Sequence, residues 1–215
     1  MIISQGRKYI FVHIPKTGGT ALAHVLEDRA MKDDILIGDT PKAVRRRKRL
    51  KTLTSSGRLW KHSKISDIHG LVSDQEIEKF FVFTLVRNPW DRMVSYYHWL
   101  RVQRFEHEAV NIAKDTDFST FLNHPYTLRS VGSEQYAQYV CDRRGTEKCN
   151  LFVRLEYLKT DLEPLEHHLG FSLGRIEKTN QSDRDHDYHK YFDSDDANLV
   201  ANMFSDDIQR FRYSF

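Results

Sequence analysis

YIFVHIPKTGGTALAHVLEDR, Tyr9 to Arg29, reads as strand, turn and helix in unbroken succession. Tyr9, Ile10, Phe11, Val12, His13 and Ile14 are β-branched, aromatic or apolar, and Pro15 closes the run, as expected of a buried strand. Lys16, Thr17, Gly18, Gly19 and Thr20 follow as a turn with no bulk at its centre. Beyond them Ala21, Leu22, Val25 and Leu26 recur at i, i+1, i+4, i+5, the spacing that lays one apolar stripe along a helix. The helix therefore begins at the glycines.

That geometry invites an anion. A helix N-terminus presents unpaired backbone N–H groups and the positive end of its dipole, and two glycines let oxygens approach the backbone closely. Lys16 adds a charge and the hydroxyls of Thr17 and Thr20 add donors, which favours a terminal phosphate or sulfate over a carboxylate. The nucleotide-triphosphate loop GxxxxGK[ST] places its lysine after the second glycine. Here the lysine comes first. The plainer reading is a glycine turn that joins two packed elements.

The chain has 215 residues, 40% hydrophobic and 29% charged, with a formal net charge of +3. This is most economically one α/β domain over residues 1–215, globular and with an ordinary wet surface. The mild positive charge suits anionic ligands without implying nucleic acid. No 18-residue apolar run and no leader pattern occur, so no membrane span is expected; taken as complete, the chain reads as cytoplasmic, and as a Golgi-lumen protein if it is a trimmed piece. Cys141 and Cys149 flank a turn, DRRGTEK. They are expected to be thiols in a reducing compartment and a hairpin disulfide in an oxidising one.

Between Lys32 and Gly70 the pattern weakens. Ile35, Leu36 and Ile37 suggest a short strand, and Arg45, Arg46, Arg47, Lys48, Arg49 and Lys51 form a dense basic run. It reads either as a solvated face or as a docking surface for an acidic polymer such as a charged glycan. No aromatic residue interleaves it and no nucleic-acid motif is present, so no nucleic-acid partner is expected. Lys61, His62 and Ser63 open a short helical segment that Gly70 ends.

The second informative stretch is Lys79 to Arg104, KFFVFTLVRNPWDRMVSYYHWLRVQR. Phe80 to Val86 is the continuous apolar run of a central parallel strand, and Arg87 stands at its carboxyl end. Asn88 as cap, Pro89 at the first helical position and Asp91 in the first turn start a helix. Trp90, Met93, Val94, Tyr97 and Leu100 give that helix a buried stripe. Two parallel strands, each ending in a cation and a helix start, face one edge of an open sheet, where such folds bind ligands. The ligand then carries two separate anionic groups: Arg87 forks onto one, with Ser95 adding a hydroxyl. The alternatives are an Arg87 that forms a structural pair with Asp91 or is a plain surface arginine, and a Ser95 of no special role.

FVHIPKTGGTAL and FVFTLVRNPWDRMVSYYH resemble the two cofactor motifs of sulfotransferases that use 3′-phosphoadenosine 5′-phosphosulfate (PAPS), in the carbohydrate-type bacterial and Golgi branch called sulfotransferase family 2. LFVRLEYLKTDLEPLEHHLGF resembles that family's Arg-x-Glu-x-Leu segment. TNQSDRDHDYHKYFD and LVANMFSDDIQRFRYSF resemble its closing Asn-x-Ser, aromatic and Tyr-Ser-Phe pattern. The resemblance implies a P-loop-like three-layer α/β sandwich with a mainly parallel central sheet flanked by helices. It implies that Lys16, Thr17, Gly18, Gly19 and Thr20 surround the 5′-phosphosulfate and that Arg87 and Ser95 hold the 3′-phosphate. It also implies in-line transfer of the sulfuryl group to an acceptor hydroxyl, most plausibly on a glycan or another hydroxylated molecule, with Lys16 stabilising charge on the bridging oxygen and no metal required.

His62 stands where many members carry a Lys-His pair, which makes it the expected general base. Lys64 and Ser66 replace residues that are commonly Thr and Arg there, so a different acceptor pocket is expected. His69 is the next candidate, and His13 reads as structural. His186 and His189 read as surface residues rather than metal ligands. Asp193, Asp195, Asp196, Asp206 and Asp207 read as helix-start carboxylates. Glu156 positions either Arg154 or a ligand hydroxyl. Two other classes fit the strand–loop–helix: a magnesium-dependent small-molecule or nucleoside kinase, and a non-catalytic nucleotide- or polyanion-binding module.

Overall fold

The computed structural model describes residues 1–132, 134–177 and 182–215. It comprises two compact units, one formed by Met1–Val86 with Tyr136–Thr179 and the other by Arg87–Gln135 with Asn180–Phe215.

The first unit is built on a five-stranded sheet in the order β3-β1-β2-β4-β5. Its strands are β1 (Ile2–Ser4), β2 (Tyr9–Val12), β3 (Ile35–Leu36), β4 (Phe81–Val86) and β5 (Leu151–Arg154). β2, β4 and β5 run parallel, with Tyr9 opposite Phe81 and Phe83 opposite Leu151. β1 pairs antiparallel with both β2 and β3, so the sheet is mixed at that edge and parallel at its centre. The carboxyl ends of β2 and β4 thus lie side by side, as their sequences predict. All of β2 is buried, and Thr84 inside the apolar run of β4 donates its hydroxyl to Val12 O at 2.8 Å. Burial of that one hydroxyl costs nothing once it is bonded.

β2 leads to α1 (Gly19–Asp28), which buries Leu22, Ala23, Leu26 and Glu27. The buried face is rotated by one residue from the stripe that the apolar positions predict. Glu27 explains the rotation: its carboxylate lies inside and accepts the Thr40 hydroxyl at 2.6 and 2.8 Å. The same Thr40 hydroxyl caps α2 (Pro41–Arg46) through Ala43 N, so one side chain serves both helices. α3 (Asp74–Lys79) starts in a Ser73/Glu76 capping box, which fixes the approach to β4. Leu22, Leu26, Phe11, Phe83, Leu85 and Val153 pack with Leu162 and Leu165 in one core.

The second unit is helical. α4 (Pro89–Arg101) buries Trp90, Met93, Val94, Tyr97 and Leu100, the stripe expected of it. Around it pack α5 (Glu108–Asp115), α6 (Phe118–Asn123) and α7 (Pro125–Gly132), and in the first unit α8 (Tyr136–Val140) leads on towards β5. After β5 come α9 (Leu158–Asp161) and α10 (Glu163–Leu169) of the first unit, then α11 (Ser194–Met203) and α12 (Ser205–Phe211) of the second. Trp90 Nε1 donates to Ala197 O at 2.9 Å, which ties α4 to α11 while satisfying the one polar atom of a buried indole. Asp193 caps α11, and Asp206 and Asp207 stand in the first turn of α12.

Candidate functional site

In the first unit the chain leaves β2 at Val12 and turns into α1 through Lys16–Thr20. Lys16 and Gly18 have φ of 65° and 82°, the left-handed region, which costs a lysine about 1–2 kcal/mol. Strain of this kind persists only where the surroundings enforce it, and it concentrates at functional loops. The glycines are required by close approach: a Cβ on Gly18 would lie 2.7 Å from Leu155 Cδ1, and one on Gly19 would lie 2.4 Å from His13 Cδ2. Thr17 is fully buried and donates its hydroxyl to Ile14 O at 2.9 Å, so its side chain braces the turn. Only its backbone is left to face a ligand. Thr40, Ser73 and Asn88 cap α2, α3 and α4 with their side chains, whereas no side chain caps α1. Ala21 N bonds Gly18 O, while the N–H groups of Gly19 and Thr20 at the start of α1 receive no side-chain cap, an arrangement of the kind that binds anions.

His62 is placed against this loop. Its Nδ1 lies 2.7 Å from His13 O, and its ring meets the His13 ring edge-on at 4.9 Å. A carbonyl only accepts, so Nδ1 carries the hydrogen and Nε2 carries the lone pair. Burial is the main reason that the His62 pKa falls from 6.5 to about 3; the bond to His13 O opposes the fall and the charge of Lys61 adds to it. His13 is itself buried, and burial holds its pKa well below 6.5. Its ring packs beneath Gly19 and stacks on Phe11, in keeping with a structural role. A small cleft beside the loop is lined by His13, Thr20, Glu27, Asp39, Thr40 and Lys61. Lys61 Nζ bonds Asp39 Oδ2 at its rim, at 2.6 Å.

His69 is positioned differently. Its Nδ1 lies 2.7 Å from Asp74 Oδ1, and its Nε2 is buried with no partner among the described residues. A ring whose basic nitrogen has no surface cannot meet an acceptor. Arg154 holds Asp161 bidentately, Nε–Oδ2 at 2.8 Å and Nη2–Oδ1 at 3.0 Å, with its guanidinium 4.4 Å from the exposed Tyr157 ring. The basic run divides in two. Arg46 donates to Met31 O and Asp34 O, and Arg49 to Lys32 O, so these two brace the backbone. Arg45, Arg47, Lys48 and Lys51 are exposed.

In the second unit Arg87 sends Nε and Nη2 to Asp91 Oδ2 at 2.8 and 2.6 Å, one helical turn apart. Arg184 bonds the other oxygen of the same carboxylate. Two guanidiniums, 14% and 7% exposed, thus share one carboxylate 19% exposed. Ser95, also buried, lies one turn beyond Asp91. Sequence reasoning missed Arg184, because it lies in a polar stretch with no periodicity. Asn88 caps α4 through Trp90 N and donates to Tyr188 OH and Ser214 O at 3.2 and 3.0 Å. Those two bonds tie the closing aromatic and Tyr-Ser-Phe segments to the Arg-Asn-Pro turn. Asn180 and Gln181 of the Asn-x-Ser segment lie outside the described residues. His189 Nδ1 pairs with Asp187, and Cys141 and Cys149 are thiols. Among the described residues no helix is long and apolar enough to cross a membrane.

No curated protein matches the chain significantly. A solved structure of mouse sulfotransferase SULT7A1 complexed with PAP aligns over 96% of this chain and 85% of its own, at 17% identity and a TM-score of 0.49. The family model described as the sulfotransferase family matches residues 1–214. A match over essentially the whole length places the chain plainly: it belongs to the sulfotransferase family.

Proposed function

We propose that this sulfotransferase is one domain, that it takes its sulfuryl group from PAPS, and that it delivers it to a hydroxyl of a glycan or other hydroxylated acceptor. The observation that carries the reading is the uncapped start of α1, reached through a strained lysine and two glycines packed against His13 and Leu155. When bound, PAPS supplies a sulfuryl group already activated by its bond to phosphate.

The protein's part is positioning and charge. Backbone N–H groups of Gly18, Gly19 and Thr20, with the Thr20 hydroxyl, hold the 5′ anion; Thr17 keeps the turn in shape. Lys16 stabilises negative charge that builds on the bridging oxygen as its bond to sulfur breaks. Arg87, oriented by Asp91, and Ser95 bind the 3′-phosphate, and Arg184 adds a second guanidinium there. His62 Nε2 takes the proton of the acceptor hydroxyl as that oxygen bonds to sulfur. The His13 carbonyl keeps the imidazole in the tautomer this step requires. The exposed members of the basic run, Arg45, Arg47, Lys48 and Lys51, suit an anionic glycan as docking partner.

The test is sulfuryl transfer from labelled PAPS, without metal, to pooled glycan and small-molecule hydroxyl acceptors. Label should enter the acceptor pool with the parent protein and be lost in His62→Ala with donor binding retained. A parent protein that binds PAPS and transfers nothing would leave a nucleotide-binding module instead.

A further inference from the structure

Arg58 and Trp60 stand four and two residues ahead of His62, and neither has a role in the chemistry above. Trp60 is 45% exposed, far more than a residue of its size requires in a folded chain. Its ring centroid lies 5.0 Å from that of His62, with the planes at 85°. The Arg58 guanidinium lies 5.8 Å from the Trp60 ring, and Arg58 is exposed.

The loop that carries this pair is held at almost every residue. Ser56 N bonds His69 O at 2.9 Å, Ser56 Oγ bonds Ser66 O at 2.6 Å, and Gly57 N bonds Asp67 O at 3.0 Å. Gly57 has no room for a side chain, since a Cβ there would lie 2.2 Å from Asp67 Oδ1. Ser63 then closes the turn: it accepts Trp60 N at 2.9 Å, and its hydroxyl reaches Arg58 O at 3.0 Å and Trp60 O at 2.8 Å. An aromatic surface and a cation are thus presented to solvent on a backbone that has already lost its freedom. Preorganisation of that kind favours binding, because little entropy remains to be lost.

We infer that Trp60 and Arg58 form the acceptor subsite beside His62, and that it takes an acidic sugar unit, the ring resting on Trp60 and its carboxylate or sulfate meeting Arg58. The inference rests on the reading of His62 as base. A pyranose ring has an apolar C–H face that matches an indole and hydroxyls on its rim, one of which then falls beside the imidazole. An exposed platform suits a sugar, which stays hydrated on its other side; a flat phenol or sterol needs enclosure on both faces. Arg58 sets the sign of the substituent, and its planar fork suits a carboxylate or sulfate. Of the two lysines that flank the base in sequence, Lys61 is paired with Asp39 and Lys64 lies 5.4 Å from the Tyr139 ring, so Arg58 is the cation beside the indole.

The test uses calorimetry on the full chain saturated with adenosine 3′,5′-bisphosphate, with three probes: an unsulfated chondroitin hexasaccharide, a neutral chitin hexasaccharide and 4-nitrophenol. The uronic-acid hexasaccharide should bind most tightly. Trp60→Leu should weaken it about tenfold or more, Trp60→Phe should restore much of the loss, and Arg58→Gln should reduce its affinity to that of the neutral hexasaccharide. Nucleotide affinity should stay within about twofold in all three variants, which reports that they are folded. Unchanged hexasaccharide affinity in Trp60→Leu and Arg58→Gln, tighter binding of 4-nitrophenol, or no saccharide binding at all would overturn the inference. Failure of the parent to bind the nucleotide would instead remove the reading beneath it.

Discussion

At the scale of single residues, the proposed base His62 has a fixed tautomer and a suppressed charge, and its role as base requires bound anionic groups to raise its basicity. Because burial lowers its pKa from 6.5 to about 3, the folded protein binds fewer protons than the unfolded chain between those values. Stability therefore falls as pH drops from about 6.5 towards 3, and His62→Ala should flatten that part of a plot of unfolding free energy against pH. A mutant whose acid-side slope matches the parent would contradict the burial of a neutral imidazole. In the reaction, the same variant should lose about 10²–10⁴-fold in kcat while its nucleotide affinity holds. The acidic limb of kcat should lie at higher pH than that of kcat/KM for the donor, since bound anionic groups pull the imidazole pKa upwards. Gly19 tests the loop in another way. The new methyl of Gly19→Ala would press on the His13 ring, whose backbone carbonyl orients His62. It should cost about 1–3 kcal/mol in denaturant unfolding, and the surviving folded protein should bind nucleotide poorly. Unaltered stability and binding would show that His13 moves aside freely.

At the scale of elements, α4 links a cap, a carboxylate and two guanidiniums. Asp91 is the hinge of that set: it holds Arg87 from one helical turn away and Arg184 from a segment far along the chain. If both guanidiniums face the 3′-phosphate, Arg184→Met should weaken adenosine 3′,5′-bisphosphate about tenfold or more and leave 5′-AMP within about twofold, since charged hydrogen bonds contribute about 1.5–3 kcal/mol each. Equal loss for both nucleotides, measured by calorimetry, would make Arg184 a general support of the helix. The start of α4 was legible because Asn88, Pro89 and Asp91 are local signals. Arg184 was not, because its partner lies 93 residues away and nothing in a polar stretch marks it.

At the scale of the whole molecule, the strands and helix starts that frame the site could be read from periodicity and capping alone. β2 and β4 announce themselves as apolar runs, and both are followed by turns that suit few other structures. β3 shows only as the short apolar run Ile35–Ile37, and β1, three residues long, is too short for a period, so the antiparallel pairing at that edge was not legible. The buried face of α1 was misplaced by one residue because Glu27 reads as a surface residue until Thr40 is brought to it. The basic run needed the structure too, since six similar letters divide into two braces and four solvent-facing charges. Replacing Arg45, Arg47 and Lys48 with Ser should leave thermal stability unchanged within about 0.5 kcal/mol and weaken binding of a heparin oligosaccharide, with a shallower dependence of log K on log salt. A salt dependence equal to the parent's would show that the run takes no part in docking.

The measurement that bears most directly on the central claim is calorimetric titration, without metal, of adenosine 3′,5′-bisphosphate against 5′-AMP and ADP. Two anionic sites on one nucleotide require the bisphosphate to bind at least about tenfold more tightly than 5′-AMP, and magnesium to add nothing. Equal affinity for 5′-AMP, or a preference for ADP that appears only with magnesium, would contradict a PAPS donor site.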